Sequence, residues 1–189
     1  AGVEMPQKFM DQGASKQEKN DIFSLHEKAT DFFTTQLQKS KKAQIYLDDR
    51  GISDDLIVQW KLGYGGEEKD GLTKFLLRSG FSESLIMQSG VAFERQFGDK
   101  TMRDRFCERL IIPICEPREG NIIAFTGRDL SGKKGLAKYV NSPENPVYHK
   151  SSTLFGFDRA RKIIREKDAV ILVEGNFDVI SAHKVGALH

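Results

Sequence analysis

Two carboxylates four residues apart, Glu174 and Asp178, follow the apolar run Ala169-Val-Ile-Leu-Val173 and enclose Gly175-Asn-Phe177. An unbroken run of Val, Ile and Leu reads as a strand buried on both faces, as in a parallel sheet. It delivers Glu174 at its C-terminal end, where α/β sheets carry their chemistry. Gly175 permits a tight turn without a Cβ penalty, and Asp178 then falls near the start of the next helix. Two acids beside a strand end suit a hard divalent cation or proton transfer on a phosphate substrate. They equally suit a helix cap, and spacing alone leaves both readings open.

Upstream lies a dense set of long cations and aromatics: Arg103, Arg105, Phe106, Arg109, Arg128, Lys138, Tyr139, Tyr148, His149 and Lys150. Arginine offers planar bidentate hydrogen bonding to phosphate oxygens, and lysine a mobile point charge. Aromatics interleaved with them can stack on unpaired bases. Any one of these residues also fits a solvated surface or an ordinary core; it is the ensemble, close to an acidic strand end, that points to a polyanion. The stretch from Lys138 through Asn141 to Lys150 has two prolines, two asparagines and no hydrophobic periodicity. It cannot bury itself, so its residues are expected to serve turns or a ligand. His149 has no second histidine nearby and is not expected to ligate metal.

The elements that must position these groups change in character along the chain. Residues 1–15 read as a linker arm. Ser15 with Glu18 forms a capping box, opening a helix whose apolar face carries Ile22, Leu25, Ala29, Phe32, Phe33 and Leu37. Shorter helices are expected over 41–49, 53–60, 72–78 and 83–89, closed by Gly51, Gly80 and Gly90, so that 16–90 is helical. From about Val91 the pattern turns to strands. Arg109-Leu-Ile-Ile-Pro-Ile114 and Asn121-Ile-Ile-Ala-Phe125 make a hairpin about the turn 117–120, with Pro113 suggesting an edge or a bulge. A basic loop (131–135), a short extended piece (138–141) and a helix (158–166) precede the strand ending at Glu174, and a helix over 177–184 follows it. The fold class expected is α/β (α+β).

The formal charge of +2 does not by itself announce a nucleic-acid binder. Its distribution says more: residues 95–150 hold eleven bases against seven acids, an electrostatic hint toward polyanions. Cys107 and Cys115, with no CxxC, build neither a zinc site nor a disulfide framework. No apolar run approaches the ~18 residues of a membrane span, and no signal peptide is recognisable. Without an initiator Met and ending at Ala187-Leu-His189, the chain is expected to be a piece of a longer protein.

The succession Asp104-Arg-Phe106, Arg109-Leu-Ile-Ile-Pro-Ile114, Ile123-Ala-Phe-Thr-Gly-Arg128, Lys138-Tyr-Val-Asn-Ser-Pro-Glu144, His149-Lys150, Leu154-Phe-Gly156 and Val173-Glu-Gly-Asn-Phe-Asp-Val179 closely resembles the RNA-polymerase core of bacterial replicative DNA primases. Tyr46-Leu47, Arg50-Gly51 and Leu62-Gly63-Tyr64 match the helical lead-in of the same family, so the resemblance runs essentially end to end. It implies an N-terminal mixed α/β subdomain over 16–166 and the first βα unit of a toprim (topoisomerase–primase) parallel sheet over 167–189. Residues 1–15 would be the join from a zinc-binding domain, where the family carries its Zn2+. It implies Glu174 as the catalytic toprim glutamate and Glu174 with Asp178 as ligands of Mg2+ or Mn2+. Arg105, Arg109, Arg128, Lys138, Tyr139, Asn141 and Lys150 would contact nucleic acid or nucleotide. The partners implied are a single-stranded DNA template, the RNA primer, ribonucleoside triphosphates and, through a further domain, the replicative helicase. A monomeric fragment in the bacterial cytoplasm, associated with the nucleoid, is expected. The family's Asp-x-Asp lies on a later strand, so this fragment alone is expected to bind metal weakly and to make no primer. Cys107 stands where a base is usual, Thr126 where Gly is common, and Asn176-Phe177 replace Tyr-Met. A module that only binds single-stranded DNA, or another toprim enzyme such as a nuclease or recombination factor, are the competing readings.

Overall fold

A computed structural model describes residues 14–95 and 101–189. The arm expected over residues 1–15 therefore lies almost wholly outside the described residues. Helix α1 (Lys16–Lys39) starts where Ser15 Oγ accepts the Glu18 N–H at 3.1 Å. Only that half of the expected capping box is seen, because the Glu18 carboxylate instead takes the side-chain amide of Gln88. Then come α2 (Lys41–Asp49), α3 (Asp54–Gln59), the two-residue β1 (Gly63–Tyr64), α4 (Gly71–Arg78) and α5 (Glu83–Gln88). Strands β2 (Ala92–Glu94) and β3 (Met102–Asp104) pair with each other. Strands β4 (Arg109–Cys115), β5 (Ile122–Asp129) and β6 (Tyr139–Asn141) join β1 in an antiparallel sheet of order β1-β4-β5-β6. Helices α6 (Phe157–Lys167) and α7 (Asn176–Lys184) close the chain. The class is mixed α/β, as expected.

Helix α1 lies across this sheet and seals it. Phe33 meets Phe125 of β5 edge-on at 5.3 Å between ring centroids and Phe106 at 6.3 Å, all three fully or almost fully buried. Each such ring removed from water contributes about 1.5–3 kcal/mol. The close approach explains Gly63: a Cβ there would stand 2.5 Å from Phe33 Cβ. His26 sits in the same layer with Nδ1 2.9 Å from the Ile122 carbonyl and Nε2 3.2 Å from that of Ser89. Its complete burial holds the imidazole below its ordinary pKa.

Pro113 meets its expectation: β1 reaches only to Ile111, so β4 has no partner on that side at Pro113, and a register shift follows between Ile114 and Cys115. Two other expectations change. Strand β5 runs on to Asp129, longer than the apolar run suggested, because its polar end pairs with both β4 and β6. Residues 169–173 form no strand; their backbone tie is the Ile171 N–H to the His189 carbonyl at 3.1 Å. A strand is defined by its ladder, and among the described residues no neighbour runs alongside it. Val170 and Leu172 are accordingly 52 % and 73 % exposed.

A cationic sheet edge and an acidic turn

Strand β6 is the outer strand of the sheet, so its backbone edge and alternate side chains are open to a ligand. Its register puts Tyr139 opposite Arg128 and Asn141 opposite Thr126. Arg128 Nη1 donates to the Tyr139 hydroxyl at 3.0 Å, and the guanidinium stands 5.5 Å from the Tyr139 ring centre. Tyr139 keeps 41 % of its surface exposed. The Thr126 hydroxyl donates to Asn141 Oδ1 at 2.9 Å, so the residue that replaces a common glycine orients the Asn141 amide. Lys138 is exposed just before β6, its carbonyl held by the Asp129 N–H at 2.9 Å. These five residues lie together along the β5–β6 edge.

Arg109 supports that edge from beneath. It is only 6 % exposed, and its Nη1 donates to the carbonyls of Gly127 (3.3 Å) and Ala137 (2.9 Å). A guanidinium spent on two carbonyls ties the loop before Lys138 to the sheet and has little surface left for a phosphate. Arg105 stands apart beyond β3: its Nε donates to the Gly90 carbonyl at 2.8 Å and its guanidinium lies 5.8 Å from the Phe93 ring. No hydrogen bond or ring contact among the described residues joins it to β6.

The segment after β6 buries more of itself than its composition promised. Ser142, Asn145 and Tyr148 are each under a tenth exposed. Ser142 Oγ accepts the Phe125 N–H at 3.0 Å, and Asn145 Nδ2 donates to the Ile123 carbonyl at 3.2 Å. Polar residues can be buried here because each satisfies backbone groups of β5. The exposed Lys150 is placed by Glu144, whose carboxylate accepts the Lys150 N–H at 2.8 Å and meets His149 Nδ1 at 2.8 Å. Those two contacts, the backbone one first, hold the Glu144 carboxyl below its ordinary range.

Glu174 and Asp178 flank the turn into α7, and both are exposed. Asp178 Oδ2 accepts the Gly175 N–H at 3.0 Å, so this carboxylate caps the helix. A Cβ on residue 175 would lie 2.8 Å from that oxygen, so a larger residue would have to displace the capping carboxylate. Glu174 lines a cavity of about 220 Å³ together with Phe157, Ile164, Val173 and Val179. Arg109, Arg128 and Lys138 do not line it, and the acidic turn is linked to Arg128 only indirectly. That connection runs through stacked rings. Arg50 lies 5.0 Å from the centres of both the Phe177 and Tyr46 rings, and Arg128 lies 4.8 Å from the Tyr46 ring. Each contact of this kind contributes about 0.5–1 kcal/mol at an exposed site. Tyr46 and Arg50 figured in the sequence only as part of a helical lead-in; their i, i+4 spacing on one helix face was the available signal.

As to metal, Glu174 and Asp178 supply hard oxygen donors of the kind Mg2+ and Mn2+ take. Among the described residues no group of three or more His, Cys, Asp or Glu side chains is placed to hold an ion. Magnesium is ordinarily bound by one or two carboxylates completed by substrate phosphates, which two residues can satisfy in part.

The fold and this edge define a mixed α/β domain of the kind found in primase RNA-polymerase domains. The family of the DNA primase catalytic core, N-terminal domain, matches residues 32–161, and the chain belongs to it. Among curated relatives it is 38% identical to the DNA primase of Enterococcus faecalis, covering 90% of this chain and 28% of that protein. It is 34% identical to the DNA primase of Halalkalibacterium halodurans, covering 98% of this chain and 31% of the relative. The chain thus spans about a third or less of the length of these relatives. The RNA polymerase domain of Mycobacterium tuberculosis primase, solved with double-stranded DNA, superposes with a TM-score of 0.83 at 31% identity, over 90% of this chain and 53% of that one. A primase catalytic domain solved bound to single-stranded DNA gives 0.78 at 27% identity, over 92% and 53%. The chain is therefore a segment of a primase of the bacterial type.

Proposed function

We propose that this segment is the template-holding part of an enzyme that makes RNA primers on single-stranded DNA from ribonucleoside triphosphates. The observation that carries the reading is the open β6 edge, where Lys138, Tyr139 and Asn141 stand beside Arg128 in a chain of the primase family. Tyr139 offers a stacking face and Lys138 a phosphate contact, so a strand is held without being read by sequence. Lys150, fixed by Glu144, extends the cationic surface. Arg109 acts beneath it by holding the loop, and Arg105 serves a separate region of the surface.

Primer extension requires a 3′-hydroxyl to attack an α-phosphate in line while charge builds on the leaving pyrophosphate. Mg2+ or Mn2+, when bound, supplies the charge that offsets this. Glu174 would be its ligand here, and Asp178 could add Oδ1 while Oδ2 keeps the Gly175 N–H. With no third such ligand beside them among the described residues, a second reading for the isolated segment is a binding module for single strands that synthesises nothing alone. In the parent protein, Zn2+ would belong to a separate zinc-binding domain and the replicative helicase would dock through another. The parent would act in the bacterial cytoplasm, with this segment monomeric.

The test is Glu174→Gln in the full-length primase that carries this segment. Primer synthesis is expected to fall at least about a hundredfold while template affinity changes less than about twofold. Synthesis at the unaltered rate would remove Glu174 from the reaction.

A further inference from the structure

We propose that Tyr46 and Arg50 are positioning residues that hold the turn bearing Glu174 in fixed relation to the strand-holding edge. The inference rests on the function proposed above. Five side chains from four elements alternate ring and cation without a break: Phe177 on α7, Arg50 just past α2, Tyr46 on α2, Arg128 on β5 and Tyr139 on β6. The successive distances are 5.0, 5.0, 4.8 and 5.5 Å. One end, Tyr139, lies on the edge proposed to receive the template. At the other end, Phe177 is adjacent to Asp178 and three residues beyond Glu174.

Three observations mark this stack as more than ordinary packing. Neither Arg50 nor Arg128 forms an ion pair among the described residues, so ring contacts, with the Tyr139 hydroxyl on Arg128, are what hold the two guanidiniums. The Tyr46 ring takes a guanidinium on either side, Arg50 at 5.0 Å and Arg128 at 4.8 Å, so it is the middle member of the stack. Helix α7 is tied to the same corner a second time, where Lys184 Nζ donates to the Gly51 carbonyl at 2.7 Å. Planar groups stacked in series have few ways to shift independently, so a displacement at one end is felt at the other. Reaction rates are sensitive to misplacement on the scale of an ångström, whereas template affinity depends on the edge residues themselves.

The experiment compares Tyr46→Phe, Tyr46→Leu and Arg50→Lys in the full-length primase. Tyr46→Phe keeps the ring and should turn over at the unaltered rate. Tyr46→Leu should lower kcat by about tenfold or more while template Kd moves less than about twofold. Arg50→Lys, which keeps the charge and loses the plane, should fall between. A second readout needs no synthesis: His183 of α7 stands edge-on to Trp60, the single tryptophan, at 5.1 Å. Protonated imidazole quenches indole emission, so this chain should show acid quenching that Tyr46→Leu diminishes and Tyr46→Phe preserves. Unaltered kcat and unaltered quenching in Tyr46→Leu would overturn the proposal, as would kcat and template affinity falling in equal proportion. Failure of the underlying reading would show separately, in Glu174→Gln, and would leave the quenching comparison intact as the test of the stack.

Discussion

Asp104 shows how much one buried charge can organise. Its carboxylate, 5 % exposed, accepts the Leu72 N–H at 2.7 Å, the Thr73 N–H at 2.9 Å and the Thr73 hydroxyl at 2.7 Å. It thereby satisfies the free donors at the start of α4 from a strand some thirty residues away. Burial is the largest influence on the group and pushes its pKa up, with the three hydrogen bonds opposing. Asp104→Asn would set an amide donor against one of those N–H groups, so a loss of about 2–3 kcal/mol is expected. Urea unfolding checks it: the midpoint should fall with the slope unchanged, whereas an unaltered midpoint would mean the amide finds new partners. The sequence does not announce this role, since nothing local distinguishes Asp104 from a surface acid. Lys138, Tyr139 and Asn141 stood out in the sequence by residue type, and the structure places them at and just before β6; Arg109 stood out as a cation, but its burial was not legible, because burial is a property of the sheet around it.

At the scale of elements, caps and glycines made the helices readable. Ser15 and Ser82 accept the N–H groups of Glu18 and Leu85, and Gly51, Gly80 and Gly90 take the left-handed conformation just after α2, α4 and α5. Ser53, in the same position before α3, makes no side-chain cap. The stretch 169–173 could not be read as reliably, since an apolar run states a need for neighbours without supplying them. Helix α7 was expected at its observed place, yet what docks it was not visible: Phe177, Arg50 and Tyr46 are far apart in sequence. Burial, and then the nearby Arg159 charge, lower the His183 pKa from 6.5. The neutral imidazole is thus favoured when α7 is docked, and protonation is delayed to lower pH. Acid quenching of Trp60 should therefore have its midpoint below 6.5 in the folded chain and be lost as urea releases the helix. A midpoint at or above 6.5 in the native chain would contradict the docking.

For the whole molecule, the structure separates two features. One corner of the sheet presents cations and a ring on an open strand, while the acidic turn sits against α6 and α7 and is joined to that corner through Tyr46 and Arg50. No helix among the described residues is long and apolar enough to cross a membrane. The measurement that bears most directly on the account is the salt dependence of single-stranded DNA binding by this chain and two variants, followed by fluorescence anisotropy. Lys138→Ala should reduce the magnitude of the log–log slope by about 0.7, the loss of one phosphate contact on a single strand. Tyr139→Ala should weaken binding by about 1–3 kcal/mol with the slope unchanged, the loss of one stacked base. Equal affinities and equal slopes for all three proteins would show that the strand does not run along β6.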